Sequence, residues 1–532
     1  MRFLLLVLTL SACSFKAISP VSTASANAQF SQTAMSDEVT SEQKAMALHF
    51  DRFLKKDLSS LEWKYTKELC QKDPSQNPFC FGYLNKEELE DRWKKYRAPE
   101  PSPKAPRVTL RWKGKELSNW DEVRKGAPTR LVKLISRYSA SRLKLLAEKS
   151  LQEPQCPNSM AIAVAAVMED DLPNEVEPGL IASLYEKGGD CQTDPDDREN
   201  ALTRAGLFYY WKNDFAKAFP LLKKSASVTE AKSPRPWYWM YRSAIELKDS
   251  SSASEAIREL KKRFPFSLHT ILARLASGEN PDDILERSDP TVLTRTKQAP
   301  ELNPMIESAE LLARCGYFSA AAKVSDWVAA APNSLEPEFR IYLTQLRGEE
   351  GIANGIYILS KVLIDYPELV SKKTLTLFYP KAFISLFEKN VTGTDPYLLL
   401  AIARQESAFN PKAVSSARAK GLLQVVRGKN LLDPETNVKA GSRMFSLFYR
   451  RADGQLPVAL AAYNAGPKRP EEWARRYQSV SPLLFMDLIP FKETRSYPAL
   501  ILRNYYWYRK LYSPSPAKLP WLSENEDIAK FY

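Results

Sequence analysis

Histidine is scarce in this chain, since only His49 and His269 occur among its 532 residues. A Ser-His-Asp or Cys-His centre needs a histidine beside its nucleophile, so the sequence argues against both kinds of enzyme. The chain has six cysteines but no Cys-x-x-Cys spacing, which argues against a zinc site. We therefore expect neither a bound metal nor a cofactor.

Glycine is also scarce, with 18 residues in the whole chain. Long stretches rich in Leu, Ala, Lys and Glu favour helices over sheets. A chain of 532 residues is too long for one ordinary core and predicts two to four domains. The predicted fold class is therefore all-α.

Long apolar runs are absent beyond the N-terminus, and the run there, Phe3–Leu10, is too short to span a membrane. It ends at Leu10-Ser11-Ala12-Cys13, which resembles a bacterial lipobox and predicts export with a lipid on Cys13. An ordinary signal peptide cut near Ala26 or Ala28 is the alternative.

An exported chain can form disulfides, and five cysteines follow the lipobox. Cys70 and Cys80 are close in sequence, as are Cys156 and Cys191, which leaves Cys315 over. Sequence does not fix connectivity, so other pairings stay open.

Charge is distributed unevenly along the chain. The net charge is +13, and residues 371–532 hold 25 Lys and Arg against 13 Asp and Glu, a surplus of 12. A basic surface indicates a polyanionic partner. On charge alone this partner could be nucleic acid, but the export signal favours acidic wall peptides or anionic lipid as the partner.

Changes in sequence texture predict the domain boundaries. The predicted segments are a signal peptide with lipobox (1–13), a Ser/Ala/Thr-rich tether (14–40), a helical region with a proline-rich break (41–116), a helical array (117–377), a compact helical domain (378–512) and a C-terminal tail (513–532).

Paired helical patterns recur within the predicted array. Residues 201–226 contain two apolar helical stretches around Lys212-Asn213-Asp214, much as in a tetratricopeptide-type hairpin, and residues 310–331 have a similar shape around Cys315-Gly316. Because the units are irregular, we predict a superhelix of helical hairpins and not a strict repeat. An irregular helical domain is the alternative.

A glutamate occupies the apolar side of a predicted helix in the compact domain. Asp395-Pro396 predicts the start of this helix, and Asn410-Pro411 predicts its end. Leu399, Ile402 and Glu406 fall at i, i+3 and i+7, on one face.

The expected surroundings of Glu406 predict a protonated carboxyl group. Apolar neighbours and the negative end of its own helix both raise the pKa of a glutamate. A carboxyl group that is still protonated near neutral pH can donate its proton to a glycosidic oxygen. The alternative is a buried glutamate that is neutralised by Arg404 or Arg418.

Three motifs after Glu406 carry a family resemblance. They are Ala413–Gln424, which includes Gly-Leu-Leu-Gln, then Ala461–Pro467 (Ala-Ala-Tyr-Asn-Ala-Gly-Pro) and Ile489–Arg495 (Ile-Pro-Phe-Lys-Glu-Thr-Arg). In this order, residues 378–512 resemble the soluble-type lytic transglycosylases, a lysozyme-like family that cleaves the glycan of peptidoglycan. The upstream array resembles the superhelical domain of long family members. The resemblance thus implies a helical-hairpin superhelix followed by a lysozyme-like catalytic domain.

The resemblance also implies a mechanism with one enzyme carboxyl group. Glu406 would protonate the oxygen between N-acetylmuramic acid and N-acetylglucosamine, and the muramoyl N-acetyl oxygen would assist at C1. Glu406 would then deprotonate the 6-hydroxyl of the same sugar, which closes a 1,6-anhydro ring.

Other positions receive their roles from the same resemblance. For Tyr463 and Tyr497 the alternative is ordinary core packing, and for Tyr497 this alternative has equal weight with a role in the site. The implied roles are support of the site (Ser407), contact with the sugar or its N-acetyl group (Ser415), lining of the groove (Gln424), proximity to the catalytic carboxyl (Tyr463), fixing of a turn in the substrate-binding motif (Asn464), and positioning of substrate (Glu493).

The sequence departs from the family pattern after Gln424. Val426 and Arg427 stand where the family usually has methionine and proline, the following loop is shorter, and Arg418 replaces a common glycine. These changes alter one wall of the groove, so they leave substrate fit and the choice between internal and end cleavage undetermined.

The expected partners are peptidoglycan glycan strands, a membrane through the lipid anchor, and envelope proteins on the superhelix, but no nucleic acid. The expected location is the periplasm-facing envelope, as an outer-membrane lipoprotein. The alternatives to a lytic transglycosylase are a wall-binding scaffold with a catalytically weak cleft and a lysozyme-like hydrolase.

Overall fold

The computed structural model describes residues 39–74, 77–96, 132, 135–136, 138–152, 160–171, 177–228, 233–330, 335–348, 351–391, 393–477 and 480–513. The lipobox with Cys13, nearly all of the predicted tether, the proline-rich break and all but one residue of the predicted tail lie outside these residues. Among the residues described, no helix combines the length and apolar composition that a membrane span requires.

Helices make up the regular structure of the described residues, which include no β-strand. The predicted all-α class is thus confirmed. The first helices along the chain are α1 Ser41–Leu54, α2 Ser60–Lys72, α3 Cys80–Tyr96, α4 Ala140–Gln152, α5 Met160–Asp171, α6 Pro178–Asp190, α7 Pro195–Trp211, α8 Phe215–Ala226, α9 Arg235–Glu246, α10 Ser250–Arg263 and α11 Leu268–Ala276.

Further helices follow in the C-terminal half of the chain. They are α12 Asn303–Arg314, α13 Phe318–Ala329, α14 Pro337–Gln345, α15 Ile352–Asp365, α16 Lys372–Phe378, α17 Ile384–Asn390, α18 Pro396–Ser407, α19 Pro434–Arg451, α20 Leu456–Ala465, α21 Lys468–Arg476, α22 Pro482–Leu488 and α23 Lys492–Tyr512, with short 3-10 helices at Pro281–Glu286, Pro300–Leu302 and Pro367–Leu369.

The described residues form two compact units, one within residues 39–96, 288–384 and 408–410 and the other within residues 132–287, 385–407 and 411–513. This grouping of segments in space does not test the predicted order of domains along the chain, which stays a prediction.

The first unit contains the expected disulfide between Cys70 and Cys80, which joins the end of α2 to the start of α3. Cys315 is a free cysteine among the described residues. Cys191, in the second unit, is disulfide-bonded, and its expected partner Cys156 lies outside the described residues.

The two predicted helical hairpins are confirmed, one in each unit. In the second unit, α7 and α8 flank the turn 212–214, where the Asp214 side chain accepts a hydrogen bond from the backbone of Lys217 and so caps α8. In the first unit, α12 and α13 flank Cys315-Gly316, and Gly316 has φ 83°. This left-handed conformation favours glycine.

Each helix from α6 to α10 packs against the next one in the chain. Such nearest-neighbour packing is typical of a hairpin array. The described helices of the second unit are therefore a hairpin array, α4–α11, and a C-terminal segment, α17–α23.

Apolar spacing in the sequence predicts helices that begin at Asn437 and at Pro498, and the structure begins both of them earlier. The helix expected from Asn437 starts at Pro434, because Asp433 accepts a hydrogen bond from the backbone of Thr436 and caps it. The helix expected from Pro498 starts at Lys492 and carries Pro498 in its interior. Proline in a helix interior is unfavourable, so the sequence pattern places this start six residues too late.

A close approach of α7 and α8 generates a prediction for stability. A Cβ atom on Gly206 would lie 2.6 Å from Cγ of Leu222, whereas one on Gly179, at the start of α6, would meet no heavy atom within 4 Å. We expect Gly206→Ala to destabilise the protein by about 1–3 kcal/mol and Gly179→Ala to be neutral or slightly stabilising. Denaturant unfolding of both variants checks this, and equal stabilities would contradict it.

Candidate active site

Glu406 lies in the last turn of α18, and its helix ends one residue later at Ser407. Ala408 and Phe409 adopt φ angles of 46° and 66°, which terminates the helix before the predicted stop at Asn410-Pro411. Residues 398–404 of the same helix are buried, and the Glu406 side chain is partly buried. The apolar placement predicted for Glu406 is therefore present.

A tyrosine hydroxyl is the hydrogen-bond partner of this carboxyl group. Tyr497 Oη donates to Oε1 of Glu406 at 2.5 Å, and Tyr497 itself is buried. No basic group among the described residues shifts the pKa of Glu406, and Arg404 directs its Nη1 to Oδ1 of Asn504 at 3.5 Å. The alternative of a glutamate neutralised by arginine is therefore not what the structure contains.

Burial raises the pKa of Glu406 to about 7, the hydrogen bond from Tyr497 lowers it, and the negative charge of Glu493 raises it. The loss of hydration therefore exceeds the stabilisation that Tyr497 gives to the carboxylate. At neutral pH the group is divided between its acid and base forms, so it can both donate and accept a proton.

A loop that follows the helix, residues 411–433, is tied to it by side-chain hydrogen bonds. Ser407 Oγ donates to the carbonyls of Leu422 (2.9 Å) and Ala403 (3.1 Å), and Tyr463 Oη donates to the carbonyl of Leu423 at 2.8 Å. Ser407 and Tyr463 thus fix the loop beside α18.

A buried asparagine that the sequence analysis missed holds the same loop. Asn437 Oδ1 accepts from the backbone of Leu423 at 2.7 Å, and Nδ2 donates to the carbonyls of Lys420 (2.7 Å) and Leu431 (2.8 Å). Gly421 has φ 75°, and a Cβ there would lie 2.4 Å from Nδ2 of Asn437. This contact explains why glycine precedes Leu-Leu-Gln in the motif.

Gln424 and Ser415 make local bonds in this loop. Gln424 Nε2 donates to the carbonyl of Gly421 at 2.8 Å, with φ 45° at Gln424. Ser415 is exposed, and its Oγ accepts from the backbone of Ala419 at 3.1 Å. The groove-lining and sugar-binding roles of these two residues stay predictions.

The Tyr-Asn-Ala-Gly and Glu-Thr-Arg motifs meet at the start of α23. Thr494 Oγ1 donates to Oδ1 of Asn464 at 2.7 Å, and Asn464 Nδ2 donates to Oε1 of Glu493 at 3.4 Å. Gly466, with φ 78°, ends α20 directly after this contact. Asn464 therefore joins two helices as well as standing beside a turn, and the substrate-binding roles expected for Asn464 and Glu493 stay predictions.

Other acidic residues of the segment have partners away from Glu406. Asp433 caps α19, Glu435 pairs with Lys439 at 2.9 Å, and Glu471 pairs with Arg451. Of the described acidic residues, Glu493 alone contributes a charge that shifts the pKa of Glu406. Nowhere in the described ranges do three or more His, Cys, Asp or Glu side chains form a group that could hold a metal ion.

Tyr497 is a site residue for which the sequence analysis left core packing equally open. It lies four residues after Glu493 on α23, a spacing that places both side chains on one helix face. Recognising that the helix begins at Lys492 would have revealed this spacing.

The loop beside α18 also carries much of the basic surface. No acidic residue occurs from 407 to 432, and the basic side chains in this range are all exposed: Lys412, Arg418, Lys420, Arg427 and Lys429. An anionic ligand therefore meets no carboxylate from this stretch of chain.

Residues 385–483 match the family model described as the transglycosylase SLT domain. The chain is 27% identical over 309 residues to soluble lytic murein transglycosylase of Escherichia coli strain K12, a match that covers 54% of this chain and 45% of that protein. It is 34% identical over 151 residues to the protein of that name from Salmonella typhimurium, covering 25% of this chain and 23% of the relative. The chain thus spans less than half the length of these relatives.

A solved structure shares the fold of most of the chain. An inactive mutant of lytic transglycosylase Slt from Pseudomonas aeruginosa matches with a TM-score of 0.51 at 16% identity, over 92% of this chain and 85% of that one. This likeness concerns the fold alone, and it agrees with the predicted all-α class.

The raised pKa of Glu406 predicts a pH-dependent stability difference. In the unfolded chain the carboxyl has its ordinary pKa of 4.5 and ionises before the native group at about 7, so Glu406 destabilises the fold as the pH rises through this window. Between pH 5 and pH 8 the wild type should lose on the order of 2 kcal/mol relative to Glu406→Gln.

Denaturant unfolding of both proteins at the two pH values measures this difference. Glu472→Gln, which changes an exposed glutamate in the same segment, is the matched control and should show no such difference. A gap between the wild type and Glu406→Gln that is the same at pH 5 and pH 8 would contradict the assigned environment.

Proposed function

We propose that this chain is a peptidoglycan lytic transglycosylase with Glu406 as its single acid/base, since residues 385–483 match the transglycosylase SLT domain model. The observation that carries the proposal is the partly buried, tyrosine-bonded carboxyl group with a pKa of about 7. The names of the relatives support murein as the substrate.

The first step breaks the β-1,4 bond between N-acetylmuramic acid and N-acetylglucosamine. Protonated Glu406 gives its proton to the glycosidic oxygen, which leaves with the electron pair of the broken bond. The muramoyl N-acetyl oxygen supports the positive charge that develops at C1. Tyr497 then faces a newly formed carboxylate, which its hydroxyl stabilises at the 2.5 Å contact.

The second step closes the sugar on itself. The Glu406 carboxylate takes the proton of the 6-hydroxyl, and the oxygen of that hydroxyl bonds to C1. Glycosidases usually place a second carboxylate across the scissile bond. Here the intramolecular hydroxyl compensates by proximity, and water is not consumed. The raised pKa of Glu406 suits it to act as an acid in one step and as a base in the next.

The loop beside α18 favours a second candidate function. Val426 is 58% exposed, and with Arg427 it replaces the methionine and proline usual in the family, so this wall of the groove differs from the pattern. A wall-binding scaffold with weak catalysis is compatible with that change. The arrangement of Glu406 and Tyr497 favours the enzyme.

We place the protein in the cell envelope, where its proposed substrate occurs. The lipid on Cys13, the outer-membrane location and the envelope proteins expected on the superhelix are proposals that rest on sequence alone. Radiolabelled palmitate incorporation into the full chain, lost in Cys13→Ala, tests the lipid.

The proposed reaction predicts both a product and a residue dependence. Purified protein should release muropeptides with 1,6-anhydro ends from sacculi. Glu406→Gln should reduce release by at least three orders of magnitude, since it removes the only acid, while Glu472→Gln should retain wild-type release. Mass spectrometry of the sugar ends provides the measurement. Ordinary reducing ends would identify a hydrolase, and binding to sacculi without turnover would identify a scaffold.

Removal of the tyrosine hydroxyl should change the pH dependence of the rate. The hydrogen bond from Tyr497 lowers the pKa of Glu406, so Tyr497→Phe raises it. Turnover by the wild type should fall as the pH rises above about 7, because Glu406 must carry a proton. In Tyr497→Phe this fall should occur at higher pH with a lower maximal rate, and a fall at unchanged or lower pH would refute the role given to Tyr497.

A further inference from the structure

A buried carboxylate outside the site connects the hairpin array to the C-terminal segment. Asp487, in α22, is 1% exposed and accepts three hydrogen bonds from the array. The donors are Arg235 Nε at 2.8 Å, Trp239 Nε1 at 2.7 Å and His269 Nε2 at 3.0 Å. Burial would raise the pKa of Asp487, but Arg235, His269 and the hydrogen bonds together hold it below its ordinary value.

Guanidinium groups also bind the carbonyls at the end of α22. Arg204 donates to the carbonyls of Leu488 (3.0 Å) and Ile489 (3.2 Å), and Arg235 donates to that of Asp487 at 3.0 Å. The last carbonyls of a helix lack intrahelical donors, and cations suit this negative end. Side chains of α7 and α9 thus fix where α22 stops.

An arginine of α23 completes the junction from the other side. Arg495 donates to the carbonyl of Ile489 at 3.0 Å and to Oδ1 of Asn200, on α7, at 2.8 Å. Burial, and next the nearby Arg235, lower the pKa of Arg495 to about 9. Burying several guanidinium groups together is costly unless they are paired, and here their acceptors include Asp487 and the carbonyls at the end of α22.

The junction is close in sequence to the residues that contact or influence Glu406. Only Ile489, Pro490 and Phe491 separate α22 from α23, whose first two turns carry Glu493 and Tyr497. Glu493 acts on Glu406 through its charge, and Tyr497 acts through its hydroxyl. The position of the start of α23 therefore determines the hydrogen bond that Glu406 receives.

We propose that Asp487 and its donors Arg235, Trp239 and His269 are positioning residues that hold Tyr497 against Glu406. The hairpin array thereby takes part in catalysis without touching the substrate. The kinetic part of this inference rests on the proposed function.

A double-mutant cycle in the full chain tests the coupling. Trp239→Phe keeps a buried ring and removes the N–H that binds Asp487. Steady-state turnover of a soluble glycan strand should show kcat lowered roughly tenfold with KM nearly unchanged. If Trp239 acts through Tyr497, adding Trp239→Phe to Tyr497→Phe should cause little further loss. Losses that multiply would overturn the proposal.

The matched control is Trp327→Phe in the other unit. Trp327 is also buried, but its N–H has no hydrogen-bond partner among the described residues. This variant should keep the wild-type kcat at a temperature where melting curves show all variants folded. An equal loss of kcat in Trp327→Phe would show that removing any buried indole is sufficient, and would overturn the proposal.

A second readout needs no activity, so it separates this inference from the proposed function. Tyr497 affects the pKa of Glu406 more than Glu493 does, so displacing α23 should raise that pKa. The pH 5 to pH 8 stability gap between chains with and without Glu406→Gln should then widen in the Trp239→Phe background. An unchanged gap would overturn the inference even if the wild type turns over murein, and a wider gap would support it even if no turnover occurs.

Discussion

The free-energy cost of placing one carboxylate among apolar side chains is the constraint on which this site depends. The charged form of Glu406 is disfavoured beside the buried face of α18. The hydrogen bond from Tyr497 offsets only part of the free energy that the carboxylate loses with its hydration. The balance leaves a group that holds its proton near neutral pH and releases it to a suitable acceptor. Such a balance requires that water stay out and that the tyrosine stay in place. Both requirements concern the rigidity of segments distant from Glu406 in sequence.

The loop of residues 411–433 beside α18 has unusual backbone angles, and side-chain hydrogen bonds to its backbone hold it in place. Arg418, Gly421, Gln424 and Asn430 all have positive φ, which is unfavourable for residues other than glycine. Asn437 offsets this cost, because one buried amide binds the backbone at Lys420, Leu423 and Leu431. Ser407 and Tyr463 join this loop to α18 and α20. The loop can therefore vary in its exposed residues, as at Val426 and Arg427, without altering the frame.

The sequence predicted those features that repeat along a helix. The all-α class, two hairpins and the burial of Glu406 follow from apolar residues at helical spacing, since one face of a helix must meet a core. It missed the start of α23, because Pro498 is a poor interior residue and hid the Glu493–Tyr497 spacing. It also gave no sign of Asn437 or Asp487. The burial of a polar residue can be predicted only when its hydrogen-bond partners can be identified. The partners of Asp487 lie more than 200 residues away in the sequence.

The junction at Asp487 offers a physical reason for the C-terminal segment to be joined to a long hairpin array. The mechanism proposed here uses one acid and no second carboxylate, so we expect small displacements of the hydrogen bond from Tyr497 to lower its rate more than in a two-carboxylate site. A short helix such as α22 cannot by itself hold the start of α23, because helices of this length are marginal without tertiary contacts. Arg204, Arg235, Trp239 and His269 supply those contacts from an array whose own packing is repeated and extensive. On this view the array holds the start of α23 in place and thereby fixes the position of Tyr497 relative to Glu406.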